Sequence, residues 1–349
     1  MYEKNGEKYF VVDEHMHFWD ASPDNWVKGQ EQYAKGWIEC FHAYMGLGPP
    51  ETHWTFEKFS KQTEEGFVKD VFEDAHIDFG IFQSTYLKGW YTDGFNTLER
   101  NRQMVDKYPD KLIANGRFDP REGEAGLKQL EEDHKRYNLK GVKVYTAEWY
   151  NGSRGWKLSD PEAQVFLDKV KELGIKNVHA HKGPTIWPLD KDGFDVMDID
   201  VAATRNPELN FIVEHVGLPR IEDFCFMATQ EPNVYAGIAV VLGGLMYARP
   251  RFFNKVMGEL LFWVGEDKIL YGSDYAIWEP KWQIEGFLDW EMPDDPEYAD
   301  YPKVTTESKK KILGLNAAAL YDIEVPAELQ LKNGGTPAAK DDALLVETD

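Results

Sequence analysis

Five histidines and one aspartate stand where they could do chemistry together. His15 and His17 lie in DEHMH, directly after the apolar run YFVV. His179 and His181 lie in HAH, His215 follows FIVE, and Asp274 closes ILYGSD. Each follows a short apolar run of the kind that forms a buried strand. Residues i and i+2 of a strand face the same side, so His15 and His17 point together, and so can His179 and His181. Two imidazoles from one strand, one from a second and a carboxylate from a third would hold a divalent ion such as Zn, Mn, Fe or Co. Any one of these histidines is as simply read as a hydrogen-bonded structural residue. Their shared placement at strand ends is what favours a metal site.

Other polar residues fall near the same ends. Lys143 lies inside GVKVY, where a buried lysine must be paired, shifted in pKa or chemically modified, unless its amine reaches water at the rim. Arg117, in NGRFDP, could meet a substrate carboxylate or close an internal salt bridge. Arg249, in LMYARP, has the same two options. Glu148 and Trp149 follow the fourth apolar run, Trp187 the fifth, and Trp278 follows Asp274. The aromatics could wall a cleft for a flat substrate or simply pack loops. GLGPP, GGLMYARP and NGG lack the strand-to-helix setting of a phosphate cradle, so no nucleotide site is assigned.

Positioning these groups requires strands that end at a common face. Eight runs qualify: YFVVDEH, IDFGIFQS, KLIANGRF, LKGVKVY, GIKNVHAH, FIVEHVG, VYAGIAV and KILYGSD. Helical patterns alternate with them, including TLERNRQMVDKYP, EAGLKQLEEDHKRY and RFFNKVMGELLFWV. In the helix after the fourth strand, Ser159 and Glu162 have capping-box spacing, Val165, Phe166, Val170 and Leu173 mark a buried face, and Gly174 ends it. The pattern predicts a (β/α)8 TIM barrel, whose active sites form at the carboxyl ends of the strands. A doubly wound sheet would normally carry a glycine-rich loop where this chain has DEHMH. Residues 21–68 contain no clean strand and are rich in Trp, Tyr, His and Gly, which predicts a folded insertion over one end of the barrel. One domain over residues 1–325 and a loosely held tail over 326–349 complete the expectation.

Of the 349 residues, 61 are acidic and 39 basic, giving a net charge of −22. Such a surface disfavours nucleic acid and anionic membranes, which need clustered Lys and Arg. Only two cysteines occur, Cys40 and Cys225, so a disulfide framework is not expected. The polar start and the lack of any long apolar run predict a soluble cytoplasmic protein.

Taken in order, DEHMH, GVKVY, HAHKG, EHVGLP, YGSDY and LGLNAAALY resemble the amidohydrolase-related family that contains aminocarboxymuconate-semialdehyde decarboxylase and the metal-dependent aromatic acid decarboxylases. The resemblance runs from about residue 11 to about 322. It implies one divalent metal, Zn or alternatively Mn, held by His15, His17, His181 and Asp274, with His179 as the alternative to His181. It implies His215 as proton donor or acceptor and Lys143 as an unmodified lysine. Arg117, Lys143, Glu148, Trp187, Arg249 and Trp278 are the candidate substrate-binding residues. The implied activity is nonoxidative decarboxylation of a small aromatic or unsaturated carboxylic acid, with His215 or Asp274 supplying the proton. The same groups allow hydrolysis of an ester, lactone or amide, and a catalytically inactive barrel with a binding role is the third reading. Relatives of this kind are commonly dimeric, so a homodimer is expected.

Overall fold

The computed structural model describes residues 1–150 and 153–331. Eight parallel strands alternate with helices: β1 (Val12–Met16), β2 (Phe79–Phe82), β3 (Leu112–Ala114), β4 (Gly141–Val144), β5 (Asn177–His181), β6 (Asn210–Glu214), β7 (Val234–Gly237) and β8 (Ile269–Leu270). β1 to β3 form one parallel ladder and β4 to β8 another. Asn115 divides the third strand. Its first half pairs with β2, while Gly116–Arg117 pairs with β4 and joins the two ladders. The last seam closes by hydrogen bonds from Glu14 N–H to the Tyr271 carbonyl and from Asp274 N–H to the His15 carbonyl, both 3.0 Å, and by a parallel bridge between Met16 and Tyr275. The result is a (β/α)8 barrel whose strands are mostly buried, as both faces of a parallel sheet should be, with Phe79, Ile113, Asn210 and Tyr235 partly exposed.

The segment between β1 and β2 is folded and strand-poor, as its composition implies. It carries helix α1 (Glu31–Tyr44) and two short helices, Phe56–Ser60 and Glu64–Phe67. Its aromatics are spent on packing. Trp37 and Phe41 of α1 meet at 4.5 Å between ring centroids, and Phe41 meets Trp19, just after β1, at 5.9 Å. Tyr44 Oη also donates to the Thr185 carbonyl beyond β5, at 3.0 Å, which ties α1 to the carboxyl-end rim.

The helix after β4 departs from its expected start. It runs Pro161–Glu172, and no side chain caps its first turn. Pro161 occupies the first helical position with φ preset by its ring, so Ser159 lies too far out to act as the cap. The buried face is Ala163, Phe166, Leu167 and Val170, a strict i, i+3, i+4, i+7 series, which leaves Val165 52% exposed. Gly174 does end the helix, at φ +73°. The last helical region, Thr306 to Leu320, widens over Lys311–Leu315. There a Cβ on Gly314 would stand 2.0 Å from the Phe10 carbonyl oxygen, so only glycine lets this helix approach the chain leading into β1. Of the expected tail, residues 326–331 are described, and Leu329 packs in a cluster with Phe10, Ile81, Leu270 and Tyr321. Residues 332–349 lie outside the described residues.

Candidate metal centre and active site

Simple strand alternation would bring only every second residue into the barrel. Two local departures bring in more. The β1–β2 ladder pairs Asp13 with Gly80 but Met16 with Phe82, so β1 holds one extra residue, and both Glu14 and His15 reach the interior cluster. At the end of β6, His215 takes φ +67°, and it too turns inward directly after Glu214. Asp274 has φ +57°. Left-handed backbone at non-glycine residues costs energy and is held by its surroundings, a pattern common at active sites.

His15 Nδ1 lies 2.7 Å from Glu214 Oε2, and His17 Nδ1 lies 2.8 Å from the Gln83 carbonyl. The Glu214 carboxylate beside His15 favours a proton on Nδ1 and leaves the His15 Nε2 bare. His17 Nδ1 meets both an acceptor, the Gln83 carbonyl, and a donor, the Asn96 amide at 2.8 Å, so either of its nitrogens can carry the proton. The two Nε2 atoms face one carboxylate oxygen, Asp274 Oδ1, at 3.7 Å from His15 and 3.2 Å from His17. Donor atoms of the three residues all lie within 4.8 Å of one another. Burial holds His15 down to about 3, so the imidazole is neutral and free to ligate. Burial opposes the charge of Asp274, yet the His17 hydrogen bond and the neighbouring imidazoles outweigh it and hold the carboxyl at about 2. Two imidazoles and an ionised carboxylate converging on one point fit a divalent ion.

His181, expected as a fourth ligand, lies outside this set and pairs with His215. His215 Nδ1 is 3.0 Å from the Ala239 carbonyl, which only accepts, so Nδ1 holds the proton. Its Nε2 is then the acceptor for His181 Nδ1 at 3.0 Å, and His181 Nε2 accepts from Tyr145 Oη at 3.3 Å. The sequence Tyr145–His181–His215–Ala239 is thus a continuous hydrogen-bonded chain beside the donor triad. The His215 and His15 ring centroids are 5.1 Å apart. Burial lowers both His181 and His215 below the usual histidine range. His179, the alternative ligand, lies elsewhere: its Nδ1 is 2.6 Å from Glu214 Oε1 and its Nε2 2.5 Å from Tyr321 Oη.

These groups floor a cavity of about 310 Å³. Its walls are mainly apolar: Phe41, Tyr44 and Leu47 from the segment after β1 face Leu245, Phe252 and Trp278. Lys143 reaches the same floor. It is 1% exposed, and its Nζ has no hydrogen-bond partner among the described residues. Burial lowers its pKa, opposed by the charges of Glu214, Glu14 and Asp274. Arg249 also lines the cavity, but as an exposed residue whose guanidinium lies 4.9 Å from the Phe252 ring centroid.

Three expected substrate contacts do not line this cavity. Arg117 pairs with Glu122 and stacks 4.2 Å over the Tyr86 ring. With Glu148 it borders a separate chamber of about 10 Å³, which Lys143 and Tyr145 also touch. A carboxylate five residues downstream on the same turn satisfies Arg117, which is the salt-bridge alternative. Trp187 is 55% exposed and stacks on Tyr33 of α1 at 5.8 Å, so it packs the segment after β1 onto the rim. Conversely, sequence reasoning passed over Glu14, Glu214, Gln83 and Tyr145. A signal existed for the first two: each glutamate immediately precedes a site histidine, in DEHMH and in EHVG.

A parallel (β/α)8 barrel with histidine and aspartate donors gathered at its strand ends defines a class of metal-dependent enzymes acting on small molecules. Within it, the chain belongs to the amidohydrolase family, whose pattern matches residues 12–323. No curated protein matches the chain. Among solved structures, a TIM-barrel protein of Bordetella bronchiseptica is 18% identical at a TM-score of 0.64, covering 90% of this chain and 98% of the other. A 5-carboxyvanillate decarboxylase of Novosphingobium aromaticivorans, complexed with manganese, is 16% identical at 0.57, covering 90% and 96%. A probable 2-pyrone-4,6-dicarboxylic acid hydrolase of Acinetobacter baumannii is 13% identical at 0.56, covering 90% and 99%. At these identities the likeness is one of fold.

Proposed function

We propose that the chain is a metal-dependent nonoxidative decarboxylase of a small aromatic or unsaturated carboxylic acid. The observation that carries this is Lys143: an unpartnered amine, buried at the floor of an apolar-walled cavity, beside His15, His17 and Asp274. A buried ammonium without a partner is costly, and an anionic substrate group would satisfy it. The aromatic walls suit a flat, conjugated body, and enclosure excludes water from the reacting carbon.

His15, His17 and Asp274 would hold one divalent ion, zinc by donor type with manganese as the alternative, as in the manganese complex of the decarboxylase above. When bound, the ion supplies Lewis acidity toward substrate oxygens. Lys143 binds the substrate anion. His215, with Nδ1–H anchored on the Ala239 carbonyl, first takes at Nε2 the proton of His181 Nδ1 and then passes it to the carbon that loses carbon dioxide, while His181 regains a proton at Nε2 from the Tyr145 hydroxyl, which solvent reprotonates. Trp278 and Arg249 orient the substrate at the wall and the mouth. In this reading the protein is cytoplasmic and works as a homodimer. Exposed Phe226, Phe262 and Trp263 on the outer helices offer apolar surface for self-association, and light scattering tests the dimer directly.

The reaction class is tested by incubating metal-loaded enzyme with hydroxylated aromatic acids, unsaturated semialdehyde acids, lactones and amides, following both carbon dioxide and product mass. Carbon dioxide release without water gained in the product is expected. Gain of water without gas would replace the proposal with a hydrolase, the activity printed for the Acinetobacter structure. Neither, with metal bound, would leave a binding protein.

A further inference from the structure

Next to the donor triad lies a second cluster that the reaction above does not use. Glu14 from β1, His179 from β5 and Glu214 from β6 place one donor atom each within 4.8 Å of one another, and all three are fully buried. Glu14 Oε2 is 3.3 Å and Glu214 Oε1 2.6 Å from the same atom, His179 Nδ1. Neither carboxylate oxygen of Glu14 has a hydrogen-bond partner among the described residues. Glycines 237 and 272 border the Glu14 carboxylate so closely that a Cβ would stand 3.1 and 3.0 Å from Oε1, so the backbone is cut back around it. A carboxyl group buried without hydrogen-bond partners is costly, because its oxygens lose water and gain nothing in exchange. Lys143 acts on both Glu14 and Glu214, and His15 and His179 act on Glu214, which leaves Glu14 the least partnered member of the cluster.

We propose that Glu14, His179 and Glu214 form a second site for a divalent cation, separate from the site at His15, His17 and Asp274. Two carboxylate oxygens and one imidazole nitrogen are a donor set for zinc or manganese. Glu214 Oε1 at 2.6 Å favours a proton on His179 Nδ1; binding an ion would displace that proton to Nε2, where Tyr321 Oη can accept it, and leave Nδ1 to the ion. Glu214 then serves both sites, Oε2 holding His15 and Oε1 facing the second ion. An ion here would fix the carboxylate that orients His15, so its role is to support the first site.

The test is metal content by elemental analysis after saturation with Zn²⁺ or Mn²⁺ and removal of excess, with folding checked by circular dichroism. Wild type is expected to hold two ions per chain, and Glu14→Gln and His179→Gln one each. A single ion in all three proteins overturns the proposal, because it means that Glu14 and Glu214 share a proton or rest on Lys143 instead. Should either variant fail to fold, anomalous diffraction from wild-type crystals decides. A peak between Glu14 and His179 supports the second site. A peak at His15 and Asp274 alone rejects it while leaving the proposed function standing, and no peak at either removes both.

Discussion

Glu214 Oε2 and His15 Nδ1 lie 2.7 Å apart, both fully buried. This contact decides which nitrogen of His15 can face Asp274. Replacing Glu214 by Gln removes the charge that favours Nδ1–H. We expect Glu214→Gln to weaken metal binding by about 10- to 100-fold, the usual cost of losing such an outer partner. A competition titration with a fluorescent zinc chelator reads it. Unchanged affinity would show that the Glu214 contact does not orient the ligand.

His215 touches His181 and Ala239 but lies outside the donor triad. His215→Asn should therefore keep its first-site metal and lose turnover by about 100-fold or more. Loss of metal alongside turnover would make His215 a ligand, and normal turnover would remove it from the mechanism.

Lys143→Met keeps length while removing the buried amine. If the amine holds the substrate anion, KM should rise by about 10- to 100-fold, the worth of one hydrogen bond to a charged group, with metal content unchanged. Steady-state kinetics on any carboxylate that turns over would show it. An unchanged KM would return Lys143 to a purely structural role, balancing Glu14 and Glu214.

How much of this was legible in the sequence depends on backbone regularity. The strand ends, and with them His15, His17, His215 and Asp274, follow from apolar runs alone. Glu14 and Glu214 do not, because strict alternation points them away from the barrel axis. Only the extra residue in β1 and the left-handed His215 bring consecutive residues inward. The ligand role expected for His181 rested on resemblance, and the chain here gives its Nδ1 to His215. Arg117 and Trp187 were misplaced for a different reason: Glu122 and Tyr33 compete for them, and neither partner was visible from spacing around the strand.

Glu148 makes stability depend on pH. Burial pushes its carboxyl up to about 7 from the ordinary 4.5, against the opposing charge of Arg117. Between those values the folded chain holds a proton that the unfolded chain has lost, so this group's contribution falls as pH rises through the window. Glu148→Gln lacks that term. Its Tm relative to wild type should be higher at pH 8 than at pH 5, by differential scanning calorimetry. An offset independent of pH would place the Glu148 carboxyl in its ordinary range.

Gly314→Ala should destabilise the fold by about 1–3 kcal/mol, since the new methyl meets the backbone carbonyl of Phe10 rather than a movable side chain. Urea unfolding of both proteins measures it, and a difference under about 0.5 kcal/mol, the size of an ordinary surface change, would mean that the helix shifts freely.

The most direct measurement is calorimetric titration of chelator-stripped protein with Zn²⁺ or Mn²⁺, comparing wild type with His17→Ala and Asp274→Asn. His17 and Asp274 meet at 3.2 Å and belong only to the first donor set. Wild type should bind tightly, and each variant should lose that site's binding by about 100-fold or more while still binding at the second cluster. Isotherms for the two variants that match wild type, or no binding by wild type, would contradict a metal centre at these residues.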